Sequence, residues 1–101
     1  MEMTVRQEER CLEIALIGEL DHHAAREIGG RLDRAIEAAL PLRLVLEGSG
    51  VTFLDSSGIA VVMRVRQRVR DLGGAVTLRG VRPQARKVLD AAGLDRFVTV
   101  E

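Results

Sequence analysis

The stretch Thr52-Phe53-Leu54-Asp55-Ser56-Ser57-Gly58 carries the residue types best suited to chemistry. Small polar residues open there directly onto a long apolar pattern, as at the start of a helix. Asp55 or Ser56 can serve as the N-cap, its side-chain oxygen accepting a hydrogen bond from a first-turn backbone N–H. If Ser56 caps, Ser57 stands at the first helical position with a free hydroxyl, and Gly58 leaves the space beside it open. A helix start carries unpaired N–H groups and partial positive charge. A phosphate of about −1.5 to −2 charge on Ser57 would therefore be tolerated locally. Its effect would fall on whatever docks over it, because a new dianion beside Asp55 is hard to bury. Asp-Ser-Ser-Gly before a helix is equally an ordinary capping sequence.

A second polar constellation, Gly18-Glu19-Leu20-Asp21-His22-His23, precedes the first helical pattern. Asp21 is a reasonable N-cap. His22 and His23 raise a metal site, but adjacent side chains point in different directions and no other ligand cluster has a fitting spacing, so no metal is expected. Residue types alone leave open a small hydrolase or ligand-binding domain using Ser57, with a histidine and Asp21 completing a triad. Against it, the strained Gly-x-Ser-x-Gly elbow is absent and no oxyanion hole can be assigned. Neither glycine-rich phosphate-cradling signature occurs, and no cofactor is expected. Gly48-Ser49-Gly50 reads as a turn. Arg64, Arg66, Arg68 and Arg70 recur at two-residue steps, which spreads them around a helix as a solvated face or as a rim that attracts an acidic partner.

The elements that must position these residues alternate. Residues 5–16 read as two short strands with a hairpin turn within 6–10, and the runs Leu44–Leu46, Ala75–Leu78 and Phe97–Val100 as three more. Their continuous apolar character suggests burial on both faces of a sheet. The first helix carries the stripe Ala25, Ile28, Leu32, Ala35, Ile36 and Ala39, ends at Pro41, and holds Gly29 and Gly30 for close packing on the sheet. The second spans about residues 57–72, with Val62, Val65, Val69 and Leu72 on one face, and stops at Gly73-Gly74. The third spans about residues 83–92, opened by Pro83 and closed by Gly93, with Leu94 packing back on it. The order β-β-α-β-α-β-α-β implies right-handed crossovers and a mixed, mostly parallel sheet.

The 101 residues make one α/β domain with room for a single core. Fifteen basic and fifteen acidic residues cancel, and only Phe53 and Phe97 are aromatic, which argues against nucleic acid as a partner. The single Cys11 suits a reducing cytoplasm, and no apolar stretch reads as a signal peptide or a membrane span.

With both motifs in place, the chain resembles the STAS-domain anti-sigma factor antagonists, most of all their sporulation members. Gly18–His23 is similar to the segment before the family's first helix. Phe53–Gly58 is similar to its phosphorylation segment. Gly73-Gly74 and Ala92-Gly93-Leu94 add support, and the resemblance covers nearly the whole chain. It implies one STAS domain over residues 1–101: about five strands in a mixed, mostly parallel sheet, with about three helices on one side. It also implies a cytoplasmic, monomeric, non-enzymatic switch. The unphosphorylated antagonist binds an anti-sigma factor that is also a serine kinase, and so releases a sigma factor of sporulation or stress response. The kinase inactivates it with ATP at the position matching Ser57, and a serine phosphatase reverses the mark. Partner contact is expected at Asp21, His22, His23, Asp55, Ser56, Ser57 and Gly58, with Asp21 and Ser57 at one end of the sheet. The family usually continues into another helix beyond the last strand, a pattern from which this sequence departs by ending at Glu101, which bears on how the 97–100 edge is covered. A STAS interaction module of another signalling complex is the alternative within the resemblance.

Overall fold

Strands β1 (Glu2–Glu8) and β2 (Cys11–Leu20) form an antiparallel hairpin closed by Glu9 and Arg10. This is a computed structural model describing residues 1–101. Helix α1 (His22–Ala39) leads to β3 (Arg43–Leu54), α2 (Ser56–Asp71) to β4 (Ala75–Arg79), and α3 (Pro83–Ala91), with a short 3-10 turn at Leu94–Arg96, to β5 (Thr99–Val100). The sheet order is β1-β2-β3-β4-β5, parallel except for β1, so every helix crosses between neighbouring parallel strands. All three helices cover one face, as the right-handed crossover rule requires for successive adjacent strands.

The inward face is built by alternation. Leu12, Ile14 and Leu16 of β2, Leu44 and Leu46 of β3, and Val76 and Leu78 of β4 meet Ile28, Leu32 and Ile36 of α1, Val62, Val65 and Val69 of α2, and Ala85 and Leu89 of α3. Each large side chain so buried stabilises the fold by roughly 1.5–3 kcal/mol before entropy is counted. Pro41 is buried just after α1, whose last turn ends on Leu40 in the left-handed region. Gly73 follows α2 at φ +83°, a conformation that costs glycine little. Leu94 is buried behind Gly93, closing α3 as its sequence predicts.

Several expectations are corrected. The strands are not buried on both faces, because helices cover only one. Val45 points away from them yet is only 3% exposed. Arg79 reaches over β3 on that face, pairing with Glu13 of β2 at 2.9 Å and Glu47 of β3 at 2.9 Å, while Arg6 meets Glu13 at 3.6 Å. The ion-pair ladder takes the place of a second helical layer. Gly48-Ser49-Gly50 is not a turn but the middle of β3, which continues to Leu54 because β2 runs on beside it to Leu20. The register slips between Ala15 and Ile17 and again after Gly18, as in β-bulges. At the first slip a Cβ on Gly50 would lie 2.9 Å from Ile17 Cγ1, so only glycine fits. The last strand is two residues long, Phe97 lying before it as the cap of the 3-10 turn.

The hydrogen bond from Arg79 holds the Glu47 carboxyl below its ordinary value of 4.5; partial burial opposes this, and the Ser49 N–H adds to it. A carboxyl lowered on folding contributes stability above its unfolded value and loses that contribution as pH falls through the folded one. Glu47→Gln is therefore expected to unfold at lower urea than wild type near pH 7, with the gap between the two narrowing as the pH falls through the folded carboxyl's lowered value. A gap that stays constant as the pH is lowered would contradict this origin.

Candidate functional site

Parallel neighbours β2 and β3 end in register, Leu20 opposite Leu54. Each strand is followed at once by an aspartate and a helix. Asp21 caps α1, its Oδ1 accepting from the Ala24 N–H at 2.9 Å. Asp55 caps α2, its Oδ1 accepting from the Ser57 N–H at 2.8 Å. Two capped helix starts thus stand side by side at one end of the sheet, and the structure brings Asp21, His22 and His23 together with Asp55, Ser56 and Ser57 there. His22, His23 and Ser56 are exposed, while Asp21, Asp55 and Ser57 are half-buried.

The cap is Asp55, not Ser56, because its carboxylate oxygen reaches the Ser57 amide. Ser57 is consequently the second helical residue, with its backbone N–H already engaged and its hydroxyl at the surface. Gly58 plays a different part from the one expected. It is buried, and a Cβ there would lie 2.7 Å from Leu54 Cγ and 3.2 Å from Leu20 Cδ2. Its missing side chain admits α2 to the core rather than clearing the hydroxyl.

Ser57 lines a groove of about 290 Å³ between α1 and α2. His22, Arg26, Gly29, Asp33 and Arg64 also line it. Gly29 does not pack on the sheet as its sequence context suggests; it faces α2, where Arg64 Nη1 lies 3.4 Å from the Cβ it lacks. Arg64 and Arg68 are not a free solvated face either. Both pair with Asp33 of α1, Arg68 at 3.2 Å, and Arg68 also reaches Glu37 at 3.4 Å. Arg66 turns the other way and lies 5.1 Å from the centre of the exposed Phe97 ring. No hydrogen bond joins Ser57 to a histidine; its recorded partner is Asp55, through the amide. The base-to-nucleophile contact that defines a triad is therefore missing. No group of three or more His, Cys, Asp or Glu side chains is placed to hold a metal ion, and no helix is long and apolar enough to cross a membrane.

Gln84 of α3 escaped the sequence reading. Beyond Glu47, β3 has no β4 neighbour. Gln84 stands in for one: the Leu54 N–H donates to its Oε1 and its Nε2 donates to the Leu54 carbonyl, both at 3.1 Å. The residue before the Asp55 cap is thereby fixed from α3. Only the tertiary neighbour reveals this, although Pro83-Gln84 at a helix start was the available hint. Gln84→Ala orphans two partly buried backbone groups and is expected to cost about 1–2 kcal/mol in urea unfolding. A loss within error of zero would mean that water replaces the amide without penalty.

Comparison with known proteins agrees with this geometry. The STAS domain model matches residues 2–101. The chain is 32% identical over 94 residues to an anti-sigma F factor antagonist of Lysinibacillus sphaericus, spanning 93% of this chain and 78% of that one. Its fold is similar to that of the anti-sigma factor antagonist SpoIIAA in its unphosphorylated form, with a TM-score of 0.84 and 26% identity over 99% of this chain and 88% of that one. The phosphorylated form of the Bacillus cell fate determinant SpoIIAA matches with a TM-score of 0.75 and 26% identity, over 99% and 91%. Two in-register strands, two aspartate caps and a serine on the second helix are thus set in a known architecture, and the chain belongs to the STAS domain family.

Proposed function

We propose that this chain is an anti-sigma factor antagonist whose docking surface is switched by phosphorylation of Ser57. The observation that carries the reading is the pairing of the two capped helix starts, which sets the Ser57 hydroxyl at the surface among Asp21, His22, His23, Asp55 and Ser56. In the unphosphorylated state this end of the sheet binds an anti-sigma factor that is also a serine kinase, and the sigma factor is released. The protein acts in the cytoplasm and is the substrate of an enzyme rather than an enzyme.

The switching step is phosphoryl transfer. Ser57 Oγ attacks the γ-phosphorus of ATP held by the kinase; the new O–P bond forms as the bond to ADP breaks, and the hydroxyl proton passes to a base on the kinase. The helix survives because its start favours anions. The docking surface does not, because the dianion lies beside the Asp55 carboxylate, which already occupies the Ser57 amide. A partner closing over both would bury charge without a counter-ion of its own. A serine phosphatase restores the hydroxyl.

Incubation with an anti-sigma F-type kinase and ATP is expected to add one phosphate, read by intact-protein mass spectrometry. Ser57→Ala is expected to take up none, whereas Ser56→Ala is labelled like wild type. Full labelling of the Ser57→Ala protein would overturn the assignment.

A further inference from the structure

The α1–α2 groove holds a cation that the folded, unmodified protein does not use. Arg64 is tied to Asp33, and Arg68 to Asp33 and Glu37. Arg26 lines the same groove and is exposed, with no carboxylate within ion-pair distance. It lies one helical turn beyond His22, on the stripe of α1 that faces α2. Because α1 and α2 leave strands that end in register, Arg26 is about one turn deeper than Ser57. Both residues line the groove, and long side chains on a helix lean back toward its N-terminus, which is the direction of the Ser57 level.

We propose that Arg26, with His22 beside it, is the internal counter-ion that receives a phosphate on Ser57 and draws it into the α1–α2 groove. The inference rests on Ser57 being the acceptor and adds where the phosphate goes. A guanidinium offers paired N–H donors that match two phosphate oxygens. Gly29 brings no side chain to the groove wall, and Arg64 Nη1 lies 3.4 Å from the position its Cβ would take, so a second guanidinium borders the groove. The charges facing the site are His22, Arg26 and Asp33 from α1, Arg64 from α2, and Asp55 at the cap; of these Arg26 is the permanent cation without a partner. The modification then does two things. It removes a neutral docking hydroxyl, and it ties the two helices together across the groove, sheltering the phosphate from hydrolysis.

The test uses the full chain with phosphoserine incorporated at position 57 during translation, so no kinase is needed. The second ionisation of the phosphate is followed by phosphorus NMR. It is expected to fall about one pH unit lower in the otherwise wild-type protein than in Arg26→Ala. Arg26→Lys should recover part of the difference, and Arg31→Ala, at an exposed arginine of α1 that does not line the groove, should titrate like wild type. Coincident titration of wild type and Arg26→Ala would overturn the proposal, as would an equal shift in Arg31→Ala. A kinase that failed to label Ser57 would instead refute the acceptor assignment and leave this measurement standing.

Discussion

Ser57→Asp is expected to weaken binding to the anti-sigma partner about a hundredfold while leaving the fold intact. A hundredfold loss corresponds to about 2.8 kcal/mol, which a single poorly compensated charge in an interface can supply. The stability change should have the opposite sign. Beyond the Asp55 cap the first turn of α2 contains no acidic residue, so a carboxylate at its second position adds to a favourable interaction with the helix start. That contributes about 0.3–1 kcal/mol. Titration calorimetry and urea unfolding on the same preparation separate the two effects. Affinity and stability falling together would point to a damaged fold instead of a charge at the docking surface.

The second large effect concerns the floor beneath the site. Leu54 is 5% exposed and packs where a Cβ on Gly58 would lie. Leu54→Ala removes buried methyl groups directly under the α2 start and is expected to cost about 2–5 kcal/mol. Gly58→Ala is expected to be destabilising as well, by about 1–3 kcal/mol, because overpacking against Leu54 outweighs the helix propensity that alanine brings. The two changes are complementary, since truncating Leu54 vacates the space the new methyl needs. The double variant should therefore lose less than the sum of the single losses, by about 1 kcal/mol or more. Strict additivity would mean that Gly58 is not held to glycine by Leu54.

These effects also mark where sequence reading is strong and where it stops. The cap at Asp21, a cap at Asp55 or Ser56, the stops at Pro41 and Gly73, and the closure of α3 by Gly93 and Leu94 are local events. Each needs only a few consecutive residues, and each is legible in them. The alternation of strands and helices fixed the crossover topology in the same way. What could not be read depends on neighbours distant in sequence. Gly48-Ser49-Gly50 has turn composition but sits in a strand, because β2 supplies hydrogen-bond partners over its whole length. Gly58 looks like a gap beside a hydroxyl until Leu20 and Leu54 are placed under it. Gly29 looks like a contact with the sheet until Arg64 is seen across from it. The arginines at two-residue steps look solvated until Asp33, some thirty positions away, comes within reach of two of them. The location of the candidate site followed from local signals; its support from Gln84 and its lining by Arg26 did not.

The most direct trial compares the affinity of one purified anti-sigma kinase for the chain before and after stoichiometric modification of Ser57, by calorimetry at fixed ionic strength. The unmodified chain is predicted to bind, and the Ser57-phosphorylated chain to bind at least about a hundredfold more weakly with its circular dichroism unchanged. Equal affinity of the two forms would contradict the account.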